Sequence, residues 1–136
     1  WYTGASSYFA RMSDVKKDGI YSMGLTNDGH TATAHLGPLK QDIIISRDTN
    51  YELTLSMILS SETNKGSLIF DINDVFDSSD SCQFTLSDSQ KGMWKNFSCT
   101  FNSGGTESLK IRFFDASEDP LDGTGYLDNV ILTKIP

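Results

Sequence analysis

Several residue types that carry common enzyme chemistries are scarce in this chain. Among 136 residues there are 2 histidines and 2 cysteines, too few for a cysteine-rich zinc cluster. The His-Glu-x-x-His pattern, the phosphate-cradling glycine loop and the Gly-x-Ser-x-Gly elbow are all missing. A glycosidase would need two opposed carboxylates, and no pattern in the sequence selects such a pair. These absences remove the common hydrolase and nucleotide-binding signatures.

Positive charge is also in short supply. The chain has 11 Lys and Arg against 18 Asp and Glu, a net charge of −7 and a pI near 4.6. Nucleic acids and anionic membranes bind basic patches and release counterions, so neither is expected as a partner. No apolar run approaches the length that spans a bilayer. The balance is compatible with an acidic extracellular protein.

What the sequence does contain is period-two alternation of apolar and polar residues. It is clearest over residues 51–59 and recurs over residues 68–72, 97–101 and 109–113, with turn-rich stretches between them. This pattern is typical of half-buried strands, and no segment shows helical periodicity. The length suits one domain covering residues 1–136. We therefore predict an all-β fold, an antiparallel β-sandwich of about eight strands.

The two cysteines and one sequon point to a secretory compartment. Cys82 and Cys99 either form one disulfide, closing a loop of about 17 residues, or are two buried free thiols. Asn96 begins the N-glycosylation sequon Asn-Phe-Ser, and the alternation places it on the face opposite Phe97. Together these features predict a secreted, eukaryotic protein with a glycan on Asn96.

The beginning of the chain suggests that something precedes it. The first residue is Trp1 rather than methionine, which predicts an upstream segment, with a signal peptide as one candidate. Trp1 and Tyr2 resemble the end of a first strand, so the N-terminal strand is expected to be truncated.

Charged and aromatic residues outside the apolar pattern give further expectations. Phe114 is out of phase with Phe113, which predicts that it faces away from the core beside Arg112. His35 alternates with threonines and is expected on a polar or ligand-facing side. Two acidic stretches do not match a calcium-binding EF-hand loop and are expected to be solvated loops. They comprise Asp71, Asp74, Asp77 and Asp80, and then Asp115, Glu118, Asp119 and Asp122.

Five short motifs, in order, carry a family resemblance. They are residues 19–23 (Gly-Ile-Tyr-Ser-Met), 41–45 (Gln-Asp-Ile-Ile-Ile), 51–55 (Tyr-Glu-Leu-Thr-Leu), 92–97 (Gly-Met-Trp-Lys-Asn-Phe) and 125–130 (Gly-Tyr-Leu-Asp-Asn-Val). From about residue 19 to its end, the chain resembles carbohydrate-binding modules of the CenC-like type, the family 4/9 group. The cysteine pair resembles the eukaryotic, mainly fungal, members of that group.

The resemblance implies a β-jelly roll and a structural calcium ion in many members. Asp128 would hold the ion together with backbone carbonyls and a residue of the first strand. The alternative is that Asp128 only accepts hydrogen bonds from neighbouring backbone amides. Tyr21, Tyr51 and Tyr126 stand where the family usually builds its core.

Three functions follow as hypotheses. The first is non-catalytic, extracellular binding of a polysaccharide through a concave sheet face. The second is a small-molecule-binding enzyme on the same scaffold, such as a pericyclase of the hetero-Diels-Alder type, which works by proximity without metal or covalent chemistry. The third is a cell-surface interaction domain without a small ligand. For either ligand, the candidate contact residues are Trp1, Tyr2, His35, Arg112 and Phe114.

Overall fold

The computed structural model describes residues 9–20, 22–28, 39–73 and 82–136. Within these ranges the helical structure is one short 3-10 turn at Asp88–Gln90, and no helix is long and apolar enough to cross a membrane. The strands are β1 Phe9–Met12, β2 Ser22–Asp28, β3 Leu39–Ile44, β4 Asn50–Leu59, β5 Ser67–Asn73, β6 Gln83–Ser87, β7 Lys95–Asn102, β8 Ser108–Asp115 and β9 Asp122–Ile135.

The strands form two sheets. One has five strands in the order β1-β2-β9-β4-β7, and the other has four in the order β3-β8-β5-β6. Every strand pair in both sheets is antiparallel. The chain changes sheet repeatedly between β4 and β9, so neither sheet is a simple meander. The predicted all-β, antiparallel sandwich is confirmed.

The core lies between the two sheets and follows the alternation seen in the sequence. On β4 the side chains of Tyr51, Leu53 and Leu55 are buried, and Tyr51 stacks on Phe101 with 5.7 Å between ring centroids. β5 and β8 supply the opposite wall with every second residue. Successive side chains of a strand point to opposite faces, so the remaining positions of each strand form the outer faces.

One aromatic expected in the core lies outside it. Tyr126 pairs with Ile58 on the outer face of the five-stranded sheet and is only half-buried. The inward positions on either side belong to Gly125 and Leu127. A Cβ on Gly125 would lie 2.1 Å from Cδ1 of Leu68, so the core here has room for backbone but no side chain. Of the other two tyrosines expected in the core, Tyr51 is buried there and Tyr21 lies outside the described residues.

A disulfide joins the sheets at one edge. Cys82 directly precedes β6, the edge strand of the four-stranded sheet, and Cys99 lies on β7, the edge strand of the five-stranded sheet. Their Cα atoms are 5.9 Å apart. The predicted pairing is confirmed, and the bond ties the two layers together at this edge.

The expectation that both acidic stretches are solvated loops is wrong for Asp71 and Asp115, which are buried on strands, and for Asp122, which begins β9. Asp71 lies on β5 with 7% of its surface exposed, and Asp115 ends β8 fully buried. Asp71 is neutralised by an arginine described below. Asp115 accepts a hydrogen bond from the backbone N–H of Leu121 at 3.3 Å, and so closes the turn between β8 and β9. Asp74, Asp77 and Asp80 lie outside the described residues.

Candidate functional site

The candidate contact residues divide into two groups. Trp1, Tyr2 and His35 lie outside the described residues. Arg112 and Phe114 lie on β8, on the outer face of the four-stranded sheet, where the phase of the sequence placed them. Both side chains are half-buried, because Leu109, Ile111 and Phe113 take the inward positions of the same strand.

Arg112 is held by two partners on this face. Its Nε donates to Oδ1 of Asp71 at 2.7 Å, and Nη2 donates to Oδ2 of the same carboxylate. The guanidinium carbon also lies 5.4 Å from the ring centroid of Phe114. A bidentate carboxylate and an aromatic ring together fix the plane of the guanidinium. Arg112 therefore has a defined orientation before any ligand arrives.

The register of the strands extends this group into two rows. One row crosses all four strands and is polar, while the next row joins an aromatic, an aliphatic and a threonine. The polar row is Lys40, Arg112, Asp71 and Gln83, and the second row is Phe114, Ile69 and Thr85. The face thus places an apolar strip beside a line of hydrogen-bonding groups.

The charges on this face nearly cancel. Arg112 pairs with Asp71, and Nζ of Lys110 lies 3.8 Å from Oδ1 of Asp42. Among the described residues, no group of three or more His, Cys, Asp or Glu could hold a metal ion. The face is suited to contact an uncharged ligand that has both apolar and hydroxyl surface.

Sequence reasoning missed Asp71, Ile69, Lys40 and Gln83. A usable signal was present for the first two, since Leu68, Phe70 and Ile72 alternate and place Ile69 and Asp71 on the outer face. The pairing of Asp71 with Arg112 depends on the register of two strands that lie 41 residues apart at this point. Local pattern does not encode that register.

Asp128 lies on the other side of the sandwich, facing outward from β9. Its Oδ2 accepts hydrogen bonds from the backbone N–H groups of Lys17 and Asp18 at 2.8 and 3.2 Å. Its Oδ1 accepts from the N–H of Asn129 at 2.7 Å, where β9 has a bulge and Asn129 has a φ of 52°. The carboxylate thereby ties residues 13–20 across the five-stranded sheet.

This donor set does not fit a calcium ion at Asp128. Calcium binds oxygen ligands, whereas the groups that converge on both carboxylate oxygens are N–H donors. The arrangement matches the alternative in which Asp128 accepts hydrogen bonds from backbone amides. A structural calcium ion stays a prediction from the resemblance.

Between the two sheets, the described part of the chain has a small cavity. Its volume is about 150 Å³, and it is lined by Gln41, Ile43, Leu53, Ile111, Val130 and Leu132. Small-molecule sites commonly measure about 300–1,000 Å³. This cavity does not favour the pericyclase hypothesis.

Comparison by sequence identifies no relatives. No protein-family model matches the chain, and no curated protein matches it.

Comparison by structure identifies carbohydrate-binding modules, including members of families 4, 16, 22 and 61. The xylan-binding domain CBM22-1 of Paenibacillus barcinonensis Xyn10C is 11% identical over 93% of this chain and 80% of that one, with a TM-score of 0.64. TmCBM61, solved with β-1,4-galactotriose, is 16% identical over 97% and 94%, with a TM-score of 0.62.

A viral protein is similar as well. The enzymatically active domain of tailspike protein 4 from bacteriophage CBA120 is 19% identical over 93% of this chain and 18% of that one, with a TM-score of 0.68. At such identities the likeness shows a shared fold. The sandwich is the jelly roll of carbohydrate-binding modules.

Proposed function

We propose that the chain binds a neutral, β-linked polysaccharide, without catalysis, on the outer face of the four-stranded sheet. The observation that carries this proposal is the fixed group of Phe114, Arg112 and Asp71. We infer that this face is the concave one expected from the family resemblance, and Trp1, Tyr2 and His35 stay candidate contact residues.

The chemistry of the two rows is complementary to a pyranose ring. A sugar ring has an apolar face of C–H groups and a rim of hydroxyls. Phe114 and Ile69 offer an apolar strip for the ring face, and Arg112, Lys40 and Gln83 offer polar groups for the rim. Because Asp71 holds Arg112 in place, little side-chain entropy remains to be lost on binding.

The choice of a neutral ligand rests on charge. The ion pairs on this face leave no strong field of one sign, and the chain as a whole carries −7. An anionic polysaccharide would be repelled at long range. One structural neighbour is described as xylan-binding and another was solved with β-1,4-galactotriose, which supports a polysaccharide as the ligand here.

The wider assignment is to a secreted module of the CenC-like, family 4/9 type with eukaryotic character. A family 4 module is among the structural neighbours. The disulfide between Cys82 and Cys99 supports an oxidising compartment.

Isothermal titration against soluble β-glucans, xylans, mannans, galactans and chitin oligosaccharides tests the proposal. We expect binding to at least one of them. Phe114→Ala should then weaken binding by about tenfold, equivalent to about 1.4 kcal/mol, because it removes the apolar platform.

The matched control is Ile131→Ala, which removes an exposed apolar side chain from the opposite sheet. It should leave the affinity unchanged. Absence of binding across the whole panel would refute the function, and equal losses in both variants would refute its placement on this face.

A further inference from the structure

The outer face of the five-stranded sheet carries a groove that the proposed function does not use. Its volume is about 380 Å³, within the range of ligand sites. Its walls are formed by residues of β4, β7 and β9 and by the segment of residues 13–20, and include Lys17, Thr54, Ser56, Asn96, Ser98 and Ile131. Ile131 keeps 53% of its surface exposed there. The groove is therefore polar at its sides with an apolar patch.

Asn96 is the residue of the groove that also begins a sequon. Asn96-Phe97-Ser98 is the one Asn-x-Ser/Thr sequence in the chain. Asn96 is exposed on β7, the edge strand of the sheet. Among the described residues, no strand pairs with the free edge of β7, so a group attached to Asn96 has room on that side.

The two ends of the Asn96 amide have different roles. Oδ1 accepts hydrogen bonds from Nζ of Lys17 and from Oγ of Ser56, the second at 3.0 Å. No hydrogen bond to a described residue uses Nδ2. Since N-linked glycans attach at Nδ2, the bonds to Oδ1 can persist after modification.

We infer that Asn96 carries an N-linked glycan whose first two sugars lie in this groove and cover Ile131. Nδ2 forms a bond to C1 of an oligosaccharide supplied on a lipid pyrophosphate. The C1–O bond breaks, the lipid pyrophosphate leaves with its electrons, and Nδ2 gives one proton to the transferase.

The strand register places the apolar patch within reach of that glycan. Ser98, Thr54 and Ile131 stand side by side on β7, β4 and β9, and Asn96 occupies the next outward position on β7. Adjacent strands lie about 4.8 Å apart, so Ile131 is two strand spacings from β7. A pair of linked sugars spans this distance and can set an apolar ring face on Ile131.

Mass spectrometry and thermal unfolding test the inference on one amino-acid sequence made in two hosts. The chain secreted from yeast is compared with the chain from a bacterial periplasm, which forms disulfides without adding N-glycans. We expect a glycopeptide at Asn96 and a Tm about 3 °C higher for the glycosylated form. Polysaccharide binding, on the other sheet, should not change.

Two isoleucine variants identify the contact. Ile131→Ser should abolish the Tm difference between the two forms. Ile44→Ser is the matched control, because Ile44 is 91% exposed on the other sheet, and it should leave the difference intact. An unmodified Asn96, equal Tm values for the two forms, or a gain that survives in Ile131→Ser would each overturn the inference.

Discussion

Arg112 and Asp71 face each other directly across β8 and β5, with Nε of the arginine 2.7 Å from Oδ1 of the carboxylate. The Asp71 side chain is 10% exposed and that of Arg112 is 29% exposed. The carboxylate is therefore stabilised mainly by the arginine and only to a small extent by water. Removing one partner would leave a charge that water reaches poorly, whereas removing both would not.

This pair gives a prediction for stability. Arg112→Leu should lower the free energy of unfolding by about 3 kcal/mol, because the Asp71 charge loses its partner. The double variant Asp71→Leu/Arg112→Leu should recover most of that loss. Urea unfolding of the wild type and the variants measures both effects.

An exposed ion pair on the same fold is the control. Nε of Arg47 lies 3.0 Å from Oε1 of Glu107, with both side chains more than half exposed. Arg47→Leu should change the free energy of unfolding little. An Arg112→Leu protein as stable as Arg47→Leu would contradict the role assigned to the buried carboxylate.

The fold could be predicted because its information is local. The alternation over residues 51–59 places Tyr51, Leu53 and Leu55 on one face, and the structure buries all three. A strand's period is fixed by backbone geometry, so no knowledge of its partner is needed. The same phase argument placed Arg112 and Phe114 on an outer face.

The site could be predicted only in part, because the pairing of β5 with β8 decides which residues lie beside Arg112 and Phe114. In the sequence, the regular spacing of Asp71, Asp74 and Asp77 suggests an acidic loop. The role of Asp71 depends on β5 pairing with β8. The family resemblance places Tyr126 in the core, but Gly125 and Leu127 take the inward positions on either side of it, and Leu68 fills the space against Gly125.

The disulfide gives a second prediction. Replacing both Cys82 and Cys99 by serine should lower the free energy of unfolding by about 3 kcal/mol, the chain-entropy effect of opening a loop of this length. Urea unfolding of the oxidised wild type and of the variant measures this difference. Reductant should shift the wild type toward the variant and leave the variant unchanged. A wild type that reductant does not affect would contradict the prediction.

Asp128 gives a third prediction. Asp128→Ala removes the acceptor shared by the N–H groups of Lys17 and Asp18. Residues 13–20 should detach more often, so trypsin should cleave after Lys17 faster than in the wild type. The control is Glu52→Ala, an exposed carboxylate on the neighbouring strand; an equal cleavage rate in both variants would contradict the tether.

The Asp128→Ala variant also tests whether a calcium ion binds at this carboxylate. With amide donors on both oxygens of Asp128, the Tm should be the same in EDTA and in calcium chloride. A calcium-dependent rise in Tm that disappears in Asp128→Ala would instead support an ion at this carboxylate.

Tyr126 gives a prediction for alkaline pH. Burial raises the pKa of its phenol, and the nearby carboxylates of Asp14 and Glu62 raise that pKa further. In the unfolded chain the phenol ionises near its ordinary pKa of 10.0. Between the two pKa values the folded state holds a proton that the unfolded state has lost. This stability is fully present below about pH 10 and is lost as pH rises through the folded pKa.

Tyr126→Phe removes the ionisation from both states. From about pH 8 to about pH 11 the free energy of unfolding should fall more steeply in the wild type than in Tyr126→Phe, with the two curves separating above about pH 10. Urea unfolding at each pH gives the curves, and absorbance of the tyrosinate at high pH shows when ionisation occurs. Parallel curves throughout this range would mean that the fold does not hold the Tyr126 proton.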